Sequence, residues 1–480
     1  MPALDHLICS FLLLTIPARR PPSAFLSSLF NPHLFMITRH IRTQLRLWAL
    51  PLAALSMAAM TLPLLSAHAQ APGSAPAATT VEATPQTETP PKSSPDYPTK
   101  GGAGGEVIMV TNLDDSGPGS FRAAVETKGP RIIKFSVAGE IWIKTNFVIR
   151  NPFLTIDGTS APSPGITLIG DRIRVRSHDI IIRDVRLRVG ELPTGFDPQN
   201  RDGFSLDGSE DGKDPGYNVL LDHCSIAWAL DENVQMWGPG NHDYVVRDCI
   251  IGEGLSHSLH PKNMHSAGLI IGPNIKNVLL QRNLFISNEY RNPIVSGGAD
   301  AIVVNNLTYN PGFGALQIYP REDYGPTLVS YIGNVIIAGK NTKKKLSIFH
   351  KKGINSGTKV YLRDNQVTGT DALDTTEMPT VPPGKSAEAS PFVQESPLPL
   401  DHLQIMPVGD VKESVLANAG ARPKERDALD LRFIAEVREN TGSAKDHPTD
   451  DRLKAPTPAP KVTPAAARAT PSLEKPASGS

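Results

Sequence analysis

Six segments in the middle of the chain share one pattern, and this pattern decides the fold. They are VLLDHCSI (219–226), YVVRDCII (244–251), VLLQRNLF (278–285), IVVNNLTY (302–309), VSYIGNVI (329–336) and VYLRDNQV (360–367), with IIIRDVRL (180–187) as a candidate earlier copy. Each has an apolar run rich in Val, Ile and Leu, then polar or small residues, then a Cys or Asn. These fixed positions are Cys224, Cys249, Asn283, Asn306, Asn334 and Asn365, and they lie 25, 34, 23, 28 and 31 residues apart.

A period of this length with one short β-branched strand per repeat predicts a solenoid. The segments lack the i, i+3, i+4 apolar spacing of helical repeats and the fixed leucine offsets of leucine-rich repeats. We therefore predict an all-β fold, a single-stranded right-handed parallel β-helix. The uneven spacing predicts loops that grow over one face, which is where solenoids build their binding sites.

The fixed Asn positions should stack on one another from coil to coil. Asn can adopt a left-handed turn conformation, and stacked Asn side chains can hydrogen-bond as a ladder. Cys224 and Cys249 should stack in the same way, either as a disulfide or as two small buried thiols.

Composition narrows the function classes. The 480-residue chain has 48 Lys and Arg and 48 Asp and Glu, so no net charge favours nucleic-acid binding. Three cysteines are too few for a disulfide scaffold. Neither a nucleic-acid-binding protein nor a disulfide-rich secreted module is indicated.

The N-terminal region predicts a secretory signal peptide. Its three parts are the arginines Arg39, Arg42 and Arg46, the apolar stretch 47–65 and the small-x-small sequence Ala67-His68-Ala69. We place the signal peptide at 36–69, starting at Met36, with 1–35 as a misannotated upstream extension. A transmembrane anchor is the alternative, because the stretch is about long enough to span a bilayer. After cleavage we expect a secreted (extracellular or periplasmic) protein that is monomeric and free of the membrane.

Three further segments complete the predicted organisation. Residues 70–99 are rich in Ala, Pro, Thr and Ser and are predicted to be a low-complexity linker. Residues 100–442 hold the repeats and form the predicted β-helix domain. Residues 443–480 return to the Pro- and Ala-rich composition of the linker and are predicted to be a disordered tail.

Several motifs in this domain carry a family resemblance. In order they are GGAGGEVIMVTNLDDSGPGSFRAAV (101–125), LTIDGTSAPSPGITLIG (154–170), IIIRDVRLRVG (180–190), NRDGFSLDG (200–208), VLLDHCSIAWALDENVQ (219–235), NEYRNP (288–293), VNNLTYNPG (304–312) and VLANAGARPKERDALDLRFIAEVRENTG (415–442). Together they resemble polysaccharide lyase family 1, the pectate lyases, of bacterial type. The resemblance implies a β-helix with an N-terminal cap over 101–125 and a C-terminal helical segment.

The resemblance also implies an activity and its chemistry. Pectate lyases cleave polygalacturonate, the backbone of pectin, by β-elimination. Removal of the C5 proton is assisted by Ca²⁺, because a cation on the sugar carboxylate stabilises the enolate-like transition state and oxygen ligands suit this ion. Arg291 in NEYRNP matches the arginine that serves the family as base. Since guanidinium is almost always protonated, a carboxylate clamp is the alternative role for Arg291.

The same comparison implies the metal ligands and substrate contacts. Asp202 in NRDG and Asp231 in LDEN match family Ca²⁺ ligands. Two positions where the family has carboxylates hold Asn200 and Gln235 instead, and Glu232 lies close by. The predicted Ca²⁺ site therefore comprises Asp202, Asp231, Asn200, Glu232 and Gln235.

Other polar residues are predicted to contact substrate or to support the site. In the loop 254–269, Lys262 or His265 matches the place of a lysine that binds a uronate carboxylate. His257, His260 and His265 lack a fixed zinc-ligand spacing, so this cluster is not predicted to bind zinc. The pair Asp222 and His223 is predicted to support the site from beneath, without taking part in catalysis.

A helix over 424–438 is predicted to pack on the solenoid through Ala428, Leu431, Ile434 and Val437.

Three classes of function remain open from the sequence. The first is the calcium-assisted pectate lyase. The second is another β-helix carbohydrate enzyme, either a metal-independent pectin lyase or a hydrolase with two separated acids. The third is a non-catalytic polysaccharide-binding solenoid, which the complete Arg291 motif beside candidate Ca²⁺ ligands argues against.

Overall fold

The computed structural model describes residues 99–209, 211–321, 323–343, 348–350, 355–369, 398–400 and 403–456. The predicted upstream extension, the signal peptide and all but the last residue of the linker lie outside these ranges. Among the described residues, no helix combines the length and apolar character that a membrane crossing requires.

The described chain forms 27 strands and three α-helices. The first nine strands are β1 (Glu106–Val110), β2 (Arg131–Phe135), β3 (Gly139–Trp142), β4 (Phe147–Ile149), β5 (Leu154–Asp157), β6 (Ile166–Ile169), β7 (Ile173–Val175), β8 (His178–Arg183) and β9 (Val185–Arg188). The next nine are β10 (Phe204–Asp207), β11 (Tyr217–Asp222), β12 (Ser225–Ala227), β13 (Glu232–Trp237), β14 (His242–Arg247), β15 (Ile250–Gly252), β16 (Ala267–Ile271), β17 (Lys276–Gln281) and β18 (Leu284–Ile286). The last nine are β19 (Ile294–Ser296), β20 (Asp300–Val304), β21 (Leu307–Tyr309), β22 (Leu316–Tyr319), β23 (Leu328–Ile332), β24 (Val335–Ile337), β25 (Ile348–His350), β26 (Lys359–Arg363) and β27 (Gln366–Thr368). The helices are α1 (Phe121–Glu126), α2 (Val408–Asn418) and α3 (Ala428–Glu439).

The strands lie in three parallel sheets, and from β2 onward the chain visits the three sheets in turn. Sheet A has the order β1-β2-β5-β8-β11-β14-β17-β20-β23-β26. Sheet B has the order β3-β6-β9-β12-β15-β18-β21-β24-β27, and sheet C runs from β4 to β25 through β7, β10, β13, β16, β19 and β22. Each strand therefore pairs with the strand three places later, one coil further on. The predicted parallel β-helix is confirmed.

Stacks of like residues fill the interior of the coils. Successive side chains of a strand point to opposite faces, so every second residue of each coil enters the core. In sheet A one such inward column is Ile180, Val219, Tyr244, Val278, Ala301, Val329 and Val360. All seven are at most 2% exposed, and full burial of a side chain of this kind contributes about 1.5–3 kcal/mol relative to exposure.

The predicted ladder lies at the turn from sheet A to sheet B. Each backbone N–H donates to the side chain one coil further on: Cys224 to Cys249 Sγ (3.3 Å), Cys249 to Asn283 Oδ1 (3.0 Å), Asn283 to Asn306 Oδ1 (2.9 Å), Asn306 to Asn334 Oδ1 (2.9 Å) and Asn334 to Asn365 Oδ1 (2.9 Å). The two cysteines are free, buried thiols that continue the amide ladder.

The left-handed residue at this turn differs from the prediction. It is the residue before each ladder position that has a positive φ, among them His223 at 50°, Arg282 at 53° and Asn305 at 53°. This residue lies at the turn that leads from sheet A into sheet B, and the ladder side chain that follows it is buried. Asn is selected at the ladder for its hydrogen bonds to the neighbouring coils.

Replacing Asn306 by leucine is expected to lower the free energy of unfolding strongly. Its Oδ1 accepts from Asn283 N, and its Nδ2 donates to Leu280 O at 3.0 Å, so both partners would stay buried and unpaired. Each unpaired group costs about 1–3 kcal/mol. Chemical denaturation measures the change, with Asn418→Leu, on the exposed end of α2, as control. Equal stability of the two variants would contradict the ladder's energetic role.

The N-terminal end of the core is closed by α1, which confirms the predicted cap. Ser120 begins the helix by accepting from Ala123 N. Phe121, 1% exposed, stacks on Phe147 with ring centroids 5.1 Å apart. The helix thus covers apolar residues that would otherwise face water.

Residues 403–456 run along the outer face of sheet B. Two residues of α3 contact this sheet. Asp430 Oδ1 accepts a hydrogen bond from Arg188 Nη2 of β9 at 2.7 Å, and Phe433 packs against Gly252 of β15. The predicted helix is present, but its packing face was partly wrong, because Leu431 is 57% exposed while Asp430 and Phe433 are fully buried. The buried arginines of sheet B attract an acid to the interface, which apolar periodicity does not detect.

The predicted tail boundary at residue 442 is too early. Leu453 is fully buried, and Leu453 O accepts a hydrogen bond from Glu191 N at 2.7 Å. Lys445 O likewise accepts from Ser256 N at 2.7 Å. Residues 443–456 therefore pack on the coils despite their polar composition, and the remainder of the predicted tail lies outside the described residues.

Candidate active site

A cleft of about 610 Å³ lies on the outer face of sheet C. Its ionic lining consists of the cations Arg172, Arg174, Lys262, Arg291 and Arg321 and the acids Asp207, Asp231 and Glu232. Its rings and amides are Phe196, Trp237, Gln199, Asn200 and Gln235. The cleft is thus built mainly from charged and polar groups contributed by successive coils.

Three carboxylates converge at one edge of the cleft. Asp202 lies just before β10, and Asp231 and Glu232 lie just before and at the start of β13, the neighbouring strand. Parallel pairing of these strands brings the acids together, and each offers an oxygen within 4.8 Å of the others. All three are at most 8% exposed, so the cluster concentrates negative charge where little water can screen it.

The electrostatics of the cluster favour a bound cation. Burial, and then the charge of Asp231, hold the pKa of Asp202 well above its usual range. Burial also acts to raise the pKa of Asp231, but its hydrogen bond with His265 and the charge of Arg291 outweigh this and leave that pKa lowered. Two adjacent buried acids with opposed shifts are typical of a functional site.

Arg291 is held against this cluster by its backbone. It has a positive φ of 62°, and its N–H donates to Gln317 Oε1 at 2.5 Å. Its guanidinium contacts Glu232 and lies 3.7 Å from Asp231 Oδ1. Burial lowers the pKa of Arg291, while the nearby acids oppose that change. The arginine is therefore within reach of anything bound at the carboxylates.

The two predicted neutral ligands occupy different places. Gln235 Nε2 lies 3.4 Å from both Asp202 Oδ1 and Glu232 Oε2, so this amide joins the cluster. Asn200 lines the cleft, but its Nδ2 donates to Asp197 Oδ2 at 3.1 Å and it is exposed. The structure thus brings together Asp202, Asp231, Glu232 and Gln235, and leaves Asn200 outside.

Lys262 and His265 are also separated. Lys262 lines the cleft, whereas His265 is 1% exposed and lies behind Asp231. His265 Nε2 contacts Asp231, and His265 Nδ1 is 2.6 Å from Tyr290 Oη. Of the two residues predicted to contact substrate, only Lys262 faces the cleft, and His265 instead orients an acid.

The histidine cluster of this loop adjoins the acid cluster. His260, His265 and Asp231 are buried, and each offers a ligand atom within 4.8 Å of the others. His260 and His265 stack with ring centroids 3.9 Å apart and planes 10° from parallel. That this cluster does not bind zinc stays a prediction. Burial, and then the electrostatic effect of His265, lower the pKa of His260 to about 4, so this imidazole stays neutral near pH 7.

Sequence reasoning missed a second set of buried amides that joins the two halves of the site. Asn233 Nδ2 donates to Asn288 Oδ1 at 3.2 Å, and Asn288 Nδ2 donates to Asn292 Oδ1 at 3.1 Å. Asn233 follows the acids, while Asn288 and Asn292 flank Arg291. The spacing of these three differs from that of the repeat ladder, and only their position beside LDE and YR could have signalled them.

Asp222 and His223 lie elsewhere, which corrects the prediction that they sit beneath the site. They are at the turn from sheet A to sheet B, where Asp222 bonds His223 Nδ1 at 2.7 Å and Arg247 at 2.9 Å. Despite burial, these two partners lower the pKa of Asp222. His223 lines a separate depression with Arg422.

Comparisons with known proteins give relatives by sequence and weaker similarities to solved structures. No family model matches the chain. It is 37% identical over 243 residues to "Probable pectate lyase C" of Aspergillus flavus, covering 50% of this chain and 52% of the relative. The protein of the same name from Aspergillus terreus is 34% identical over 248 residues, with the same coverage of each chain. The chain spans about half the length of these curated relatives.

Solved structures give weaker similarities. The major allergen from cedar pollen is 15% identical with a TM-score of 0.47, covering 67% of this chain and 90% of that one. Pectate lyase II of Xanthomonas campestris is 18% identical with a TM-score of 0.42, covering 68% and 98%. The curated relatives are fungal, so the predicted bacterial type is not confirmed. Across 50% of its length, this chain is similar to fungal proteins that are named as probable pectate lyases.

Proposed function

We propose that this chain is a secreted family 1 polysaccharide lyase that cleaves α-1,4-linked polygalacturonate by calcium-assisted β-elimination. One observation carries the proposal: a buried cluster of carboxylates and an arginine meet in a single cleft of a parallel β-helix. The similarity to named pectate lyases over half the chain supports it. Substrate, metal and export are all parts of the proposal.

The residues present fit a calcium ion. Asp202, Asp231 and Glu232 offer hard oxygen ligands within 4.8 Å of one another. Gln235 adds an amide whose oxygen would face the cluster after a simple flip, since amide O and N are assigned from hydrogen bonds. The raised pKa of Asp202, caused by burial and by Asp231, reflects a charge that lacks compensation. When bound, Ca²⁺ would hold a sugar carboxylate and stabilise negative charge developing beside it.

The side chains then have separate tasks. Arg291 removes the C5 proton or clamps the carboxylate of the reacting sugar, since its guanidinium lies beside Asp231 and Glu232. As the C5–H bond breaks, its electron pair forms the C4=C5 double bond. The C4–O bond breaks at the same time, and the leaving oxygen takes a proton from solvent. Lys262 in the cleft wall is placed to bind a second uronate carboxylate.

Ultraviolet absorbance on polygalacturonate tests the proposal, because elimination leaves an absorbing unsaturated uronide and hydrolysis does not. We expect absorbance to rise with added Ca²⁺ and the rise to stop on addition of chelator. A rise that ignores chelator would keep elimination and exclude the calcium assignment, leaving a metal-independent pectin lyase. New reducing ends without absorbance would indicate a hydrolase. The absence of both new reducing ends and absorbance would favour a non-catalytic binding solenoid.

A further inference from the structure

Arg321 is another arginine of the cleft, and its guanidinium lies near two aromatic rings. It follows β22 by two residues, and its guanidinium carbon lies 5.4 Å from the ring centroid of Trp237 and 5.4 Å from that of Tyr319. An arginine held over aromatic rings keeps its charge and its planar set of donors while losing little freedom on binding. The two rings thus fix the direction in which Arg321 can donate.

Arg321 also differs from Arg172, Arg174 and Arg291 in having no acidic partner among the residues that the structure describes. Arg172 lies 3.9 Å from Asp202, Arg174 pairs with Asp207, and Arg291 pairs with Glu232. No carboxylate among the described residues lies within 4.0 Å of the Arg321 guanidinium, and its Nε is buried without a hydrogen-bond partner. A charged donor group in a cleft with an unused N–H is suited to bind an anion.

The two aromatic rings beside Arg321 come from one column of aligned residues on sheet C. Trp237 and Tyr319 occupy equivalent outward positions three coils apart, with Gly272 and Ser296 between them. Because the two residues between them are small, the Arg321 guanidinium carbon can lie 5.4 Å from both ring centroids. A side chain at 272 would collide with the indole, since a Cβ there would come within 2.9 Å of the Trp237 ring.

The backbone of Arg321 is fixed as well. Asn355 Oδ1 accepts from Arg321 N at 2.9 Å, and Asn355 Nδ2 donates to Arg321 O at 2.7 Å. With both backbone groups bound by one side chain, the guanidinium is presented from a defined point on the cleft wall. Its charge reaches the reaction centre, where it contributes to the lowered pKa of Arg291, whose first cause is burial.

We propose that Arg321, oriented by Trp237 and Tyr319, binds the carboxylate of the uronate unit next to the one at Arg291, and that this contact selects non-esterified polymer. The inference rests on the proposed function. A free carboxylate accepts two parallel N–H bonds from guanidinium, whereas a methyl ester is neutral and presents only one good acceptor. Each esterified unit at this position would therefore lose the charge-assisted contact.

The test compares pectins of graded methyl esterification. Wild-type activity should fall steeply as esterification rises. Arg321→Met should lose about 10- to 100-fold in kcat/KM on fully de-esterified polygalacturonate, the worth of a hydrogen bond to a charged group, with a much smaller loss on highly esterified pectin. Arg321→Lys should lie between, because it keeps the charge without the planar fork. Arg438→Met, on an exposed arginine of α3, is the matched control.

The pattern of losses decides the inference. Equal losses on all substrates would indicate a structural role and overturn it, and so would unchanged activity. If the wild type cleaves none of these polymers, the proposed function fails, and binding is measured alone by affinity electrophoresis in gels containing polygalacturonate. If polygalacturonate in the gel slows the wild type but not Arg321→Met, the result would support carboxylate binding by Arg321. Equal migration of the two proteins would overturn it.

Discussion

Replacing Arg291 by alanine is expected to reduce kcat/KM on polygalacturonate about 10²- to 10⁴-fold, the usual contribution of a positioned proton acceptor. The guanidinium lies beside Asp231 and Glu232, at the place where a sugar carboxylate and its neighbouring C5 proton would bind. Initial rates of ultraviolet absorbance measure the loss. Binding to polygalacturonate gels is measured on the same variant, because a loss of rate with retained binding assigns Arg291 to the chemical step.

Arg291→Lys separates the two roles of this residue. A lysine keeps the positive charge beside the acids, so a role limited to clamping carboxylate predicts partial activity in this variant. A role in removing the proton predicts a loss close to that of alanine, because the geometry of the accepting nitrogen changes. Wild-type activity in Arg291→Ala would exclude both roles and with them the proposed chemistry.

Asp202→Asn is expected to uncouple stability from metal binding. Burial and the charge of Asp231 raise the pKa of Asp202, so the folded state disfavours its ionised form. The contribution of Asp202 to the stability of the metal-free wild type should be fully present below the pKa of an unfolded Asp, about 3.9, and should be lost as pH rises through the raised folded pKa. Asn carries no charge, so the variant should lack this loss and be more stable near pH 7 in chelator.

Calcium should reverse this order. An ion held by the cluster stabilises the folded wild type, by about 2.7 kcal/mol when its concentration is 100 times the dissociation constant. Asp202→Asn should show little of that gain and little lyase activity. Thermal midpoints with Ca²⁺ and with chelator, from pH 4 to 8, measure both effects. Asp211→Asn, an exposed acid whose pKa Lys213 lowers to about 2, is the control. Equal calcium responses in wild type and Asp202→Asn would contradict the site.

The sequence was sufficient to predict the coils because their cause is local. A strand followed by Asn or Cys at a fixed place in each repeat indicates both the inward column and the ladder, so Asn283, Asn306 and Asn334 predicted the ladder correctly. Asp202 and Asp231 were proposed on a different ground, the resemblance of their short motifs to a known family. Their convergence with Glu232 follows from the pairing of β10 with β13.

Features that depend on register between coils were not predictable in this way. Trp237, Gly272 and Tyr319 lie far apart in the chain and share a column only after every intervening loop is closed. His265 was predicted to contact substrate, but it is buried behind Asp231. Leu453 was assigned to the tail because the segment is rich in Pro and Ala, and its burial comes from packing on distant coils.

The C-terminal segment changes how the whole solenoid should respond to stress. In a simple stack each coil touches only its neighbours, so the ends can fray while the middle persists. Here Arg452 pairs with Glu140 of β3 at 2.7 Å, near one end of the coils, while Met406 N donates to Asn305 Oδ1 at 2.8 Å, many coils away. One segment thus links early and late coils directly. Loosening of either end removes contacts from this shared segment, and the coils should unfold together as one cooperative unit.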